Sequence, residues 1–198
     1  MRKNKFILFV VYCLLSTICL WGCGDGPGAP GSSGSEETGI RIAHVEIGCA
    51  GDNIGGCPDV DVNRTAGIYR TNVDILIQSE KLNLNSTFDP FPASIEKCVI
   101  TYKKAVEDPS SPTLESLTIF PNCSIGGCTA TCPESCNVTL IDISRKIDYW
   151  RAILGGVNIP AEDPTHYVAK YNCTYVNNLD KKGTFQTEFD FWLADFVD

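Results

Sequence analysis

Apolar and polar residues alternate with a period of two along most of the chain beyond Gly39, the mark of strands with one buried face. "HYVAKYNCTYV" sets Tyr167, Ala169, Tyr171, Cys173 and Tyr175 on one side. After the turn "NNLDKKG", the run "TFQTEFDFWLADF" returns with Phe185, Phe189, Phe191 and Leu193 inward and Gln186, Glu188 and Asp190 outward. Trp192 falls in the outward phase, facing water or a helix. "GIYRTNVDILIQSEKL" predicts a strand with Tyr69, Val73, Ile75 and Ile77 on the core face, and "IEKCVITYKK" one with Cys98, Ile100 and Tyr102 inward. In "IRIAHVEI" the apolar phase switches between Ile42 and Val45, which predicts a bulged edge strand passing between two sheets. "LTIF" (Leu117–Phe120) and "NVTLIDI" (Asn137–Ile143) are shorter strand candidates. "SRKIDYWRAILGG" instead has helical spacing: Ser144 as cap, Ile147, Trp150, Ile153 and Leu154 as the apolar side, Gly155 as the stop.

Seven or eight short strands with one short helix before the penultimate strand predict an all-β, two-sheet sandwich. Within it, "AKYNC" (Ala169–Cys173) resembles the A-x-Y-x-C signature of immunoglobulin strand F. The resemblance implies an immunoglobulin-like sandwich over residues 40–198, with Tyr171 as the tyrosine-corner residue and the helix filling the E–F crossing. It also has departures. Strand B, Tyr69–Gln78, has no cysteine and strand C no tryptophan, so the usual B–F bridge has no partner. Strands C and F adjoin in this fold. The resemblance therefore implies Cys98–Cys173 as the core bridge and Cys49–Cys57 as the closure of the A–B loop.

The opening of the chain follows another logic. Arg2, Lys3 and Lys5 precede the uncharged run Phe6–Leu20, which is short for a membrane span of about 20 apolar residues. Leu20-Trp21-Gly22-Cys23 then resembles the lipobox of bacterial lipoproteins, with Trp21 as a departure from the usual small or aliphatic residue. The resemblance implies a signal peptide over 1–22, acylation (palmitate-type) of Cys23 as the mature N-terminus, and a Gly/Pro/Ser linker over 23–39. An ordinary cleaved signal and an uncleaved anchor are the alternative readings. Several acyl chains hold a protein stably on a membrane where one holds it marginally. Sixteen residues from Cys23 to Gly39 reach at most about 55 Å. Gly24, where an aspartate would mark inner-membrane retention, points by the same resemblance to the outer membrane. The whole profile resembles small bacterial envelope lipoproteins with an immunoglobulin-like domain.

Charge and cysteine content fit an exported protein. Without the three basic leader residues, 13 basic side chains face 24 acidic ones, a formal charge of −11. That opposes binding to nucleic acid or to anionic lipid. Eight cysteines remain beyond Cys23: Cys49, Cys57, Cys98, Cys123, Cys128, Cys132, Cys136 and Cys173. An even set in an exported chain reads as a disulfide framework, and eight cysteines allow 105 connectivities.

Candidate chemistry is sparse. Cys123-x₄-Cys128-x₃-Cys132-x₃-Cys136 has spacings compatible with a four-thiolate metal or redox site, or with two disulfides stapling a long loop; export favours the disulfides. Asp59 and Asp61 in "DVDVN", with Asp52, are candidates for an irregular calcium site. Arg64 and Arg70 occupy the places where an EF-hand needs Gly and Glu, so a solvated acidic loop is the plainer reading. Asn63 in "DVNRT" fits an extended bacterial glycosylation pattern, and four further triplets begin at Asn85, Asn122, Asn137 and Asn172. Trp192 is the candidate binding aromatic, for protein or carbohydrate. No phosphate loop, nucleophile elbow or zinc-protease motif is present. The expectation is a membrane-anchored, non-catalytic interaction module without cofactor, its partner an envelope or surface protein or a glycan. A carbohydrate-binding module and a metal or redox protein are the alternatives.

Overall fold

The computed structural model describes residues 29, 31–49, 59–61, 68–127, 134–155 and 164–194. In chain order the elements are α1 (Ser35–Thr38), β1 (Ile40–Cys49), β2 (Asp59–Asp61), β3 (Thr71–Lys81), β4 (Ala93–Lys104) and β5 (Leu117–Ile119). Then follow β6 (Cys123–Ile125), β7 (Glu134–Ile141), α2 (Ile143–Leu154), β8 (Thr165–Val176) and β9 (Lys182–Ala194). One sheet has the order β1-β3-β7 and the other β2-β9-β8-β4-β5, with β6 also on β4. The pairs are antiparallel except β2 on β9. β1, β3 and β7 thus take the places of strands A, B and E, and β9, β8 and β4 those of G, F and C. The protein is an all-β sandwich.

The alternation places the core between the sheets. Ile75 and Ile77 from β3, Ile100 from β4, Leu140 from β7, and Phe185, Phe191 and Leu193 from β9 are fully buried together. Removing a phenylalanine from such a core costs about 3–5 kcal/mol. β8 contributes Tyr167, Tyr171 and Tyr175, each as deeply buried. A buried phenol needs an acceptor. Tyr102 donates to Leu140 O at 2.6 Å and Tyr171 to Thr139 O at 3.0 Å, so both phenols cross from one sheet to the backbone of the other. Tyr149 donates to Leu193 O at 2.9 Å, and Tyr167 to Pro112 O at 2.7 Å. Tyr171 therefore does not make the expected corner, which bonds a few residues upstream. The inserted α2 occupies that crossing, and the phenol reaches β7 instead.

Several expectations need correction. Tyr69 lies ahead of β3 and is 69% exposed, because the strand begins at Thr71. β1 has its bulge, between Ile42 and His44, but pairs with β3 on both sides of it. The passage to the second sheet is made by β2. Ile143 belongs to α2, and Asp142, not Ser144, caps the helix by accepting from Arg145 N at 3.0 Å. The expected apolar side of the helix holds in part, since Trp150 and Ile153 pack against the core. Lys146 and Tyr149 are buried, while Ile143 and Leu154 are 45% and 62% exposed. Tyr149 has two hydrogen-bond partners beneath it, donating to Leu193 O and pairing with the Thr165 hydroxyl, which fix the helix on the ends of β8 and β9.

The expected linker is built into the fold from Gly31 to Gly39. Ser33 exchanges both backbone hydrogen bonds with Thr184, at 2.9 and 3.1 Å. Ala29 N donates to Ile42 O at 2.6 Å. Thr38 is fully buried, donates to Gly34 O at 2.8 Å and receives Asn177 Nδ2 on its carbonyl at 2.8 Å. Gly34 has φ +79°, and a Cβ there would stand 2.8 Å from Gly183 Cα, so only glycine brings the strap this close. The composition of a flexible coil also supplies the left-handed residues of a docked strap. Its direction is fixed: Gly34 lies on Gly183, Ser33 on Thr184 and Gly31 on Gln186. Traced toward the N-terminus, the strap runs toward the end of β9 that carries α2.

Candidate functional site

Three connections meet at the opposite end of the sandwich, away from α2: the β3–β4 loop, Gly126 and Gly127 just after β6, and the β8–β9 turn. Their positions follow from register, since β3 ends, β4 and β7 begin, and β8 turns into β9 there. Asn178 Nδ2 clamps the turn to the β3–β4 loop, donating to Asp89 O at 2.8 Å and Phe91 O at 3.2 Å. Asn177 Oδ1 accepts from Leu179 N and Lys181 N, both at 2.9 Å, which tightens the turn around Asp180 at φ +59°. Leu84 and Leu179 stand 74% and 56% exposed on this framework, with Phe88 beside the β3–β4 tip.

One disulfide braces the same end. Cys123 of β6 is bonded to Cys136 of β7, joining one sheet to the other across the mouth of the cysteine-rich loop. Two of the four clustered sulfurs are thus bonded to each other and are not thiolates, which is incompatible with a four-thiolate metal site. Cys128 and Cys132 lie outside the described residues. Cys98 and Cys173 face each other in the β4–β8 register and are bonded within the core. Cys49 is disulfide-bonded as well, and Cys57 lies outside the described residues. A bridge closing 75 residues stabilises by about 4 kcal/mol on the chain-entropy estimate.

Trp192 sits on the outer face of β9. Its indole stacks on the His166 ring, centroids 4.3 Å apart and planes 8° off parallel. His166 Nε2 lies 3.1 Å from Asp190 Oδ1. One face of the indole is therefore taken, leaving at most the other for a planar ligand. His44 is held by Glu46 at 2.8 Å on exposed β1. A cavity of about 230 Å³ lies between α2 and the 112–115 segment, and an open hollow of about 540 Å³ lies beside Lys103 and Glu107. Neither has a histidine, serine or cysteine among its described lining residues. Arg145, in the first, is held by Glu115 O at 2.7 Å, Asp142 Oδ2 at 2.8 Å and Ser116 O.

Burial pushes the phenols of Tyr102, Tyr167, Tyr171 and Tyr175 above their ordinary range. Arg145 partly offsets this at Tyr102, as the hydrogen bond to Thr38 does at Tyr175. Neutral phenols in a dry core serve the fold as sheet-to-sheet donors.

Of the acidic candidates, Asp59 and Asp61 pair by backbone with Trp192 and Ala194. Asp52 lies outside the described residues, and so do Cys23 and Asn63. No group of three or more metal-ligating side chains occurs among the described residues. Asn85, Asn122, Asn137 and Asn172 are all exposed. The residues that sequence reasoning missed are Asn177 and Asn178, which assemble the loop end, and Gly31 and Gly34, which dock the strap. The Asn-Asn pair opening a hairpin turn was the available signal for the first two. No family model, curated protein or solved structure matches this chain.

Proposed function

We propose that this protein is a lipid-anchored envelope protein whose sandwich presents the end formed by the β3–β4 loop and the β8–β9 turn to a protein partner outside the cytoplasm. The observation that carries this reading is that end itself: loops braced by the Cys123–Cys136 bridge and the Asn178 clamp, with exposed leucines on a rigid base. Rigid loops lose little conformational entropy on binding, so apolar side chains held there yield more net affinity than the same side chains on a mobile loop. The described cysteines are all in disulfides, which suits an oxidising compartment. The lipobox-like Leu20-Trp21-Gly22-Cys23 supplies the anchor, and the strap enters from the far end, so the loops face away from the membrane. The acidic surface suits a basic partner or simple solubility.

Photo-crosslinking residues placed at Leu84 and Leu179 in the cell test it. A discrete adduct from both positions, absent from a crosslinker at Thr118 on short β5, supports the reading. Equal labelling at all three, or turnover of glycoside, ester or peptide substrates by the purified protein, overturns it. A glycan partner is the other reading, and it would use the outer face of Trp192. Glycan-array binding abolished by Trp192→Ala would establish it.

A further inference from the structure

Helix α2 carries an apolar stripe along the margin of the core, exposed at its two ends. Ile143, Ile147, Trp150 and Leu154 follow the i, i+4, i+7, i+11 spacing of one helix face. Ile143 and Leu154, at its two ends, are the exposed members already noted, and Ile147 and Trp150 are half-buried. The fully buried residues of the helix are Lys146 and Tyr149, and Trp150 packs in part against the core beside them. Tyr69 and Val106 are exposed at the same end of the sandwich, ahead of β3 and just past β4.

The chain itself says what covers this end. The strap runs toward it, and Cys23 lies only six positions ahead of docked Ala29. Six residues reach at most about 20 Å. Gly31 lies beside Gln186, and Tyr149 of α2 is bonded to Leu193, seven positions further along β9. Seven strand residues span about 23 Å. An anchor on Cys23 thus reaches the level of α2 and little beyond it.

The geometry points to a lipid bilayer as the occupant: the outer stripe of α2 rests in the membrane interface while the lipid on Cys23 holds the domain there. This rests on the anchored reading above. A single short helix binds lipid weakly, but a six-residue tether makes its contact intramolecular and raises its effective concentration. The exposed charges nearby are mixed in sign, with Arg151 3.8 Å from Asp148, so the contact is apolar and insensitive to salt.

The test uses the full, acylated protein in phosphatidylcholine vesicles with brominated acyl chains. Cleavage before Cys23 leaves two tryptophans, and Trp192→Phe makes the emission report on Trp150 alone. An interfacial helix sits roughly 5–10 Å into the headgroup boundary, so bromine is expected to quench Trp150 emission. The double substitution Ile143→Ser, Leu154→Ser touches only exposed side chains, leaves the fold intact and should abolish that quenching, while added salt should not. Intact mass on the same sample reports acylation separately. Acylated protein with unquenched Trp150 overturns the inference and leaves the anchor standing. Protein without acyl mass overturns both. Shielding of Trp150 that rises with protein density, without bromine quenching, assigns the stripe to a second copy and also overturns it.

Discussion

Raising the pH should unfold this protein cooperatively through its core phenols. Tyr102, Tyr167, Tyr171 and Tyr175 all hold their protons more tightly in the fold than in the open chain, chiefly because they are buried. In the unfolded chain a tyrosine ionises near pH 10. Below that pH both states keep the proton, and the contribution to stability is fully present. Above it the unfolded chain releases protons that the fold retains, so stability falls as pH rises through the interval up to the folded values. Each such proton is worth about 1.4 kcal/mol per pH unit, and four together give a slope of about 5 kcal/mol per unit. A total stability of about 5–15 kcal/mol would be exhausted within roughly one to three units above pH 10. The assay is a stopped-flow jump of the oxidised protein to a series of alkaline pH values, following tyrosinate absorbance and circular dichroism together. The expected result is a slow tyrosinate phase that coincides with loss of sheet signal. Immediate ionisation of all the tyrosines with the sheet intact would refute the reasoning.

Gly34→Ala adds a Cβ against Gly183 at a left-handed position; it should cost about 1–3 kcal/mol and release residues 31–39 to faster hydrogen exchange. Replacing Cys98 and Cys173 together by alanine should lower stability by about 4 kcal/mol in denaturant melts, less if the reduced chain retains structure. Asn178→Ala removes both bonds to the β3–β4 loop; it should cost about 1 kcal/mol and speed amide exchange at Asp89–Phe91 and Asn177–Lys181 without altering the core.

The long hairpin and β4 were legible because each buries one face, and a period of two over ten residues admits few other structures. The all-β sandwich followed from the same alternation. The helix was legible as a helix and in part in its phase, since Trp150 and Ile153 pack against the core. Its apolar count favoured the Ile147–Leu154 side, whereas hydrogen bonds to Thr165 and Leu193 drew Tyr149 inward and took Lys146 with it. Tyr171 was recognisable as a core tyrosine, but its acceptor on β7 depends on how the sheets face each other, which no local pattern encodes. The strap was missed for a different reason. Gly31, Gly34 and Gly39 read as slack, yet each adopts positive φ, and the segment packs by backbone contacts that leave no hydrophobic pattern. The loop end was unreadable because Asn178 and Asp89 lie far apart in sequence and meet only after β4 and β8 have paired.

The most direct measurement is the intact mass, with and without thiol alkylation, of the protein purified from the membrane of its own cell. The account predicts a chain that starts at Cys23, carries fatty acyl mass on that residue, and gains no alkyl groups before reduction. A chain that retains residues 1–22, lacks acyl mass and alkylates at its cysteines would contradict it.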